Sequence, residues 1–98
     1  MPDLPLVSVI ERGVKMIKNA FPKYDTATLP PIPKDWTDRS WRNDVCPSWQ
    51  WGVYQIFVDF EKPEDREYSG ERFLVCDIEF GDCLLSTDNW AEVLEYVG

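Results

Sequence analysis

Apolar residues near the amino terminus recur at alternating spacings of three and four residues. Such spacings predict an amphipathic helix, because side chains three and four apart share one helix face. The stripe consists of Val7, Ile10, Val14, Ile17 and Phe21. Asp3 is a suitable N-cap, and Pro5 suits the first turn, where its missing N–H loses no hydrogen bond. The sequence therefore predicts an amino-terminal helix that ends before Pro22.

From Ser48 onward the apolar pattern changes to a period of two, which is typical of strands. Alternation through Ser48–Phe60 puts four side chains on one face, namely Tyr54, Ile56, Val58 and Phe60. The opposite face receives Trp51, Val53 and Phe57. A second alternating run covers Arg72–Phe80, with Leu74, Cys76, Ile78 and Phe80 on one face and Phe73 and Val75 on the other. Gly81 and Asp82 then predict a tight hairpin into a short third strand.

The last thirteen residues, 86–98, predict a second helix. Ser86 or Thr87 is its expected cap, and its apolar stripe consists of Trp90, Val93, Leu94 and Val97. Residues 22–47 form a Pro- and Trp-rich segment whose "LPPIP" run predicts extended backbone. The predicted fold is α+β in one domain, 1–98. Its order is an N-terminal helix, a long Pro/Trp-rich loop, a three-stranded antiparallel sheet and a C-terminal helix packed on the sheet.

The long loop carries Trp36 and Trp41 ahead of the first predicted strand. On a continuous strand Trp51 faces away from Tyr54, so both faces of the sheet are apolar and one needs a cover other than a helix. We therefore predict that Trp36 and Trp41 lie over this second face. Short polar side chains in the loop are expected to form turn and cap hydrogen bonds, namely Asp38, Asn43 and Asp44. The alternative is an exposed patch of aromatic and acidic residues, the composition of a protein-binding hot spot.

Composition and charge narrow the classes of partner. The 98 residues are 44% hydrophobic and 14% aromatic, which is typical of a globular chain. The net charge is −8, divided as +1 over residues 1–53 and −9 over residues 54–98. An acidic half repels nucleic acid and anionic lipid, whereas it attracts a basic protein surface or simply keeps the protein soluble. The amino terminus lacks the basic region of a signal peptide, so we expect a cytoplasmic protein.

The inventory of reactive side chains limits catalysis. The chain has no histidine, which excludes Ser-His-Asp and Cys-His sites and zinc sites that use histidine. Cys46, Cys76 and Cys83 show no CxxC spacing, so we expect reduced thiols, with a Cys76–Cys83 bridge left open. Asp44 is closer to Cys46 in the sequence than Arg42 is, and its negative charge disfavours the thiolate of Cys46. We expect no cofactor, no metal and no enzymatic activity, and a carboxylate-based hydrolase is the remote alternative.

Acidic residues concentrate between the two predicted strands. They are Asp59, Glu61, Glu64, Asp65, Glu67 and Glu71, and they lack the spacing of a calcium-binding loop. This segment is either a solvated loop or a docking surface for a basic partner. The candidate partner-binding residues are these six together with Asp38, Asn43, Asp44 and Trp41.

One block of residues resembles a known group of proteins. It has the form W-x-D-x-S-W-x-N-D-x-C-P-S and consists of Trp36, Asp38, Ser40, Trp41, Asn43, Asp44, Cys46, Pro47 and Ser48. Together with "VDF" and "TDNWAEVLEYV", it resembles short proteins encoded by bacteriophages and mobile elements. The resemblance spans about the last two-thirds of the chain and brings no catalytic role. It implies an inhibitor of host machinery, of the kind that includes anti-CRISPR proteins.

These observations lead to one expected function and one principal alternative. We expect a non-enzymatic inhibitor that occupies the basic surface of a host nucleic-acid-binding complex, such as a CRISPR-like defence complex. The alternative is a homo-oligomeric structural or regulatory module, for example a homodimer, in which a second copy buries an apolar face. Neither hypothesis involves direct contact with nucleic acid or with a membrane.

Overall fold

The computed structural model describes residues 20–41, 44–67 and 70–98. These residues form an antiparallel sheet whose five strands follow one another in spatial order. The strands are β1 (Thr37–Asp38), β2 (Ser48–Trp51), β3 (Tyr54–Val58), β4 (Phe73–Asp77) and β5 (Cys83–Thr87). Two short 3₁₀ turns and one helix complete the described part, namely Thr26–Thr28, Pro63–Asp65 and α1 (Trp90–Val97). Among the described residues, no helix has the length and apolar character needed to cross a membrane.

The predicted three-stranded sheet is wrong, because the segment expected as one strand is a hairpin. The chain reverses at Gly52 and Val53, and Trp51 pairs with Tyr54. Gly52 has a φ of 61°, the left-handed conformation that a two-residue hairpin turn requires at its first position. Paired residues of an antiparallel ladder share a face, so Trp51 lies on the same face as Tyr54 and not on the opposite one. The second additional strand, β1, lies inside the segment that was predicted to be a loop.

The amino-terminal part of the predicted fold falls largely outside the described residues. The helix predicted from Asp3 lies there except for its last two residues, Ala20 and Phe21. Phe21 is buried in the core, and Ala20 packs against it. Among elements that lie entirely within the described residues α1 is the one α-helix, so the predicted architecture is corrected to a five-stranded sheet with a carboxyl-terminal helix.

The core lies between α1 and one face of the sheet, which we call the helix-side face. Trp49, Ile56, Val75 and Leu85 are successive partners across four strands and define this face. The buried side chains of α1 pack against them in one cluster. These are Val93 and Val97, as the predicted apolar stripe requires. The buried apolar area of this layer is the main source of stability for a domain of this size.

The tryptophans of the long loop do not cover the second face of the sheet, contrary to prediction. Trp36 is buried on the helix side, where its ring centroid lies 5.6 Å from that of Trp90. Trp90 also donates a hydrogen bond from Nε1 to the carbonyl oxygen of Pro31 at 3.2 Å. Trp41 is 57% exposed and contributes no core packing. The loop therefore closes the end of the helix-side core, and among the described residues neither it nor α1 covers the other face.

The boundaries of the last two elements also differ from the prediction. Asn89 is the N-cap of α1 and accepts a hydrogen bond from the Ala91 N–H, whereas Thr87 accepts from the Asn89 N–H one step earlier. A hairpin joins β4 to β5 near Gly81, as predicted, but its connection is five residues long, 78–82. The Asp77 side chain accepts from two backbone N–H groups of this loop, which widens the turn.

Candidate functional site

A row of side chains crosses the face of the sheet away from α1 and runs from a buried serine through two half-buried apolar residues to an exposed serine. Ser48, Phe57, Leu74 and Ser86 are successive partners across β2, β3, β4 and β5. The two apolar residues at the centre are half-buried, and a groove of about 360 Å³ lies over them. We call it the open-face groove; its other lining residues are Val45, Cys46, Asp59, Gly70, Glu71 and Arg72. It is an apolar depression with charged groups at one end.

The acidic segment forms a connection between β3 and β4 that leaves this end of the groove. We call residues 59–71 the acidic loop. Its Arg66 side chain donates from Nε to the Phe60 carbonyl at 2.7 Å, from Nη1 to the Gly70 carbonyl at 2.8 Å and from Nη2 to the Glu61 carbonyl at 3.0 Å. One guanidinium thus ties the start of the loop to its end. The loop exposes five carboxylates to solvent, those of Glu61, Glu64, Asp65, Glu67 and Glu71.

Asp59 differs from the other predicted acids because it is half-buried. Its side chain accepts a hydrogen bond from the Phe60 N–H at 2.8 Å. Burial raises the pKa of its carboxyl group, although this hydrogen bond and the nearby charges of Arg66 and Arg72 oppose the rise. Asp59 therefore joins the groove to the acidic loop rather than standing free on the surface.

Arg72 organises the same end of the groove, a role that sequence patterning did not assign. Its Nε donates to the Asp59 carbonyl at 2.9 Å, and its Nη2 lies 3.1 Å from the Tyr24 hydroxyl and 3.0 Å from the Thr28 carbonyl. The Tyr24 hydroxyl in turn donates to the carbonyls of Val58 and Asp59. The one feature of the sequence that could have drawn attention to Arg72 is its position as a single arginine at the start of an apolar strand. Its partners lie 13 to 48 residues away in the chain, so sequence spacing could not identify them.

The residues predicted from the tryptophan block fall in two places. Asp38 lies in β1, where it accepts a hydrogen bond from the Ser40 N–H at 2.7 Å, which confirms its turn-forming role. Its second carboxylate oxygen is buried without a hydrogen-bond partner among the described residues. The Asp44 N–H donates to the Trp41 carbonyl at 2.9 Å, so here the backbone forms the turn. Asn43 lies outside the described residues.

Cys46 is the cysteine that lines the open-face groove. It is buried, and burial raises the pKa of its thiol strongly, with further upward contributions from the carboxylates of Asp59 and Asp44. The thiol therefore stays protonated near neutral pH and is a poor nucleophile. Of these two acids, Asp59 lines the groove, whereas Asp44 does not. Asp38, at the edge of the sheet formed by β1, is not part of this group.

A second, smaller pocket of about 150 Å³ lies beside the acidic loop. Its charged lining residues have both signs, namely Lys23, Lys62, Asp25, Glu61 and Asp65. Mixed charges of this kind do not select an anion or a cation. Within residues 20–41, 44–67 and 70–98, no three or more metal-ligating side chains come close enough together to hold a metal ion.

Comparisons of the chain with models of protein families, with curated proteins and with solved structures found no match. The groove and the acidic loop are therefore the features of this protein that bear on its function.

Replacement of Asp59 by asparagine should change the pH dependence of stability. The folded-state pKa of Asp59 lies above its ordinary value of 3.8, so its contribution is most favourable at low pH and is lost as the pH rises through the folded-state pKa. The Tm of Asp59→Asn relative to that of the unsubstituted protein should therefore increase between about pH 4 and about pH 7. Thermal denaturation across this range checks it. Glu61→Gln, an exposed neutralisation, is the control, and an equal pH trend in both variants would contradict the assignment.

Proposed function

We propose that this protein binds a basic segment of another protein through the acidic loop and the open-face groove. The observation that carries the proposal is a loop with five exposed carboxylates, fixed by Arg66, beside an apolar groove on the sheet face that α1 does not cover. The bound surface belongs to a nucleic-acid-binding complex of the host cell, and occupying it inhibits the complex in the host cytoplasm. No catalytic step is part of this function.

The arrangement has the anatomy of a protein-binding surface. Interfaces of this type combine an apolar centre with a charged rim, and a few residues at the centre supply most of the binding free energy. Here Phe57 and Leu74 form the centre, and the acidic loop, which includes Glu71, forms the rim. The three hydrogen bonds of Arg66 reduce the conformational entropy that the loop loses on binding. Charge on the rim accelerates encounter with a basic partner and makes the affinity depend on salt.

Charge complementarity selects the class of partner. Residues 54–98 carry −9, so nucleic acid and anionic lipid are repelled, and two copies brought together at this face would place acidic rims against each other. A lysine- or arginine-rich protein segment with a large apolar side chain satisfies both parts of the surface. Surfaces that bind nucleic acid have this basic character, which supports a role as a competitor of phosphate.

Charge reversal in the acidic loop should weaken this binding strongly. The variant combines Glu64→Lys, Asp65→Lys and Glu67→Lys, three exposed positions on the loop. The probe is a synthetic peptide with one leucine flanked by arginines and lysines, together with a copy in which serine replaces leucine. Binding to the leucine peptide at low salt should weaken by at least about tenfold, since several attractive contacts become repulsive. Fluorescence anisotropy at increasing salt concentration provides the measurement.

The matched control reverses three exposed acids away from the loop, through Asp82→Lys, Glu92→Lys and Glu95→Lys. It has the same net charge as the loop variant, so equal weakening by both would show attraction without a defined site and would contradict the proposal. Leu74→Asn should weaken binding of the leucine peptide but not of the serine peptide. The proposal also fails if neither peptide binds and light scattering shows a dimer that Leu74→Asn dissociates, because the groove would then bind a second copy.

A further inference from the structure

The two cysteines of the last hairpin lie directly opposite each other. Cys76 in β4 and Cys83 in β5 are partners in the antiparallel ladder, and both thiols are free. The sequence placed them seven positions apart and left a bridge between them open. The register of the sheet now brings their side chains to one face, the face opposite the helix.

The ladder also defines the type of pair. The backbone hydrogen bond nearest the turn runs from the Asp77 N–H to the Asp82 carbonyl at 2.9 Å, one residue beyond each cysteine. Hydrogen-bonded and non-hydrogen-bonded positions alternate along an antiparallel ladder, so Cys76 and Cys83 form a non-hydrogen-bonded pair. The Cα atoms of such pairs are about 4.5 Å apart, and disulfides connect Cα atoms about 4.4 to 6.8 Å apart. The backbone therefore does not have to move far for a bond to form.

Exposure of the two thiols sets the order of the reaction. Cys83 is exposed, whereas Cys76 is buried and burial raises the pKa of its thiol. A dissolved oxidant thus meets Cys83 first, and Cys76 is held next to it. The third thiol, that of Cys46, is buried in the wall of the open-face groove, and Cys46 is not paired with Cys76 or Cys83 in the sheet.

We propose that Cys76 and Cys83 form a thiol modification site that a low-molecular-weight disulfide, such as oxidised glutathione, converts to a cross-strand disulfide. The Cys83 thiolate attacks one sulfur of the reagent, forms a mixed disulfide and releases one glutathione thiolate. The Cys76 thiolate then attacks the Cys83 sulfur and releases the second. Two protein thiols are oxidised, one glutathione disulfide is reduced, and the two protein protons pass to the released thiolates.

The bond would fix the outer strand of the sheet. β5 pairs with β4 alone among the described strands, and the ladder contains an irregularity between Val75 and Cys76 that leaves Leu84 as an extra residue. A disulfide here closes the turn 77–82 into a loop and ties β5 to its neighbour. Because a disulfide restricts the conformations of the unfolded chain, the oxidised protein should have a higher Tm than the reduced protein.

The test treats the full chain with oxidised glutathione and measures the intact mass with and without dithiothreitol; a second aliquot then has its remaining thiols blocked for measurement of peptide masses. We expect a product that has lost two hydrogen atoms, carries no glutathione and contains a Cys76–Cys83 peptide pair, with Cys46 blocked as a free thiol. Dithiothreitol should restore the starting mass. In Cys76→Ser the reaction should stop at a glutathione adduct on Cys83, and Cys46→Ser should behave like the unsubstituted protein.

A persistent glutathione adduct on Cys83 of the unsubstituted protein would overturn the proposal, since it would show that Cys76 does not reach the mixed disulfide. A disulfide-linked dimer in place of the internal bond would overturn it as well. These outcomes are independent of peptide binding at the acidic loop, because neither cysteine of the pair belongs to the open-face groove.

Discussion

Trp36→Ala is expected to lower the free energy of unfolding by about 3–5 kcal/mol, the usual range for removal of a buried tryptophan. Trp41→Ala should change it by less than about 0.5 kcal/mol, because exposed side chains contribute little to stability. Trp36 is 8% exposed and contacts Trp90, whose ring centroid lies 5.0 Å from that of Phe73. Loss of the Trp36 ring opens the end of the helix-side core where the loop, the sheet and α1 meet.

Urea denaturation followed by far-ultraviolet circular dichroism measures the difference without relying on tryptophan fluorescence. Trp36→Phe is the matched control: it keeps an aromatic ring against Trp90 and should recover a large part of the loss. Equal effects of the alanine variants at 36 and 41 would contradict the division of the loop into a buried and an exposed tryptophan.

Arg72→Met is expected to lower the free energy of unfolding by about 2–4 kcal/mol, because each hydrogen bond from a charged donor contributes about 1.5–3 kcal/mol and such contributions are not additive. The substitution removes the donors that bind the Asp59 carbonyl, the Tyr24 hydroxyl and the Thr28 carbonyl. In the unsubstituted protein the guanidinium carbon of Arg72 lies 5.4 Å from the centroid of the Phe73 ring. Methionine keeps an apolar side chain of similar length against this ring. Chemical denaturation at neutral pH checks the value.

Arg72→Lys separates charge from geometry. A lysine keeps the positive charge but cannot donate to several acceptors in the plane of a guanidinium, so we expect recovery of only part of the loss. Arg66→Met is the second comparison, since Arg66 also makes three hydrogen bonds to carbonyl groups but lies at the more exposed acidic loop. Its destabilisation should be smaller. Full stability in Arg72→Lys would show that charge alone acts at this position.

The same two arginines connect stability to the proposed binding surface. Arg66 fixes the acidic loop that carries the rim, and Arg72 fixes the end of the groove where the loop leaves the sheet. The sequence identified the acids but did not distinguish their environments. Asp59 is half-buried, with its backbone carbonyl bound by Arg72, whereas Glu64 and Asp65 are exposed on a 3₁₀ turn.

The sequence by itself determined where most of the regular structure lies. Period-two alternation identified the regions of β2, β3 and β4, and the stripe of Val93 and Val97 identified α1. These features repeat locally, so they can be recognised without knowing what packs against them. The absence of histidine and the concentration of acids in residues 59–71 likewise follow from the sequence alone.

Tertiary structure decided the number of strands and the identity of the open face. The two-residue turn at Gly52 and Val53 lacks the Asn-Gly or Asp-Gly pair that marks many hairpins, so the sequence was interpreted as one continuous strand, whereas pairing of Trp51 with Tyr54 reverses the alternation at the turn. β1 has only two residues, too few to show a period. Both faces of the sheet carry apolar residues, and only the docking of α1 and Trp36 on one of them left Phe57 and Leu74 to form the groove. Pairing of Cys76 with Cys83 depends on the register of β4 and β5, a contact between strands that local spacing does not specify.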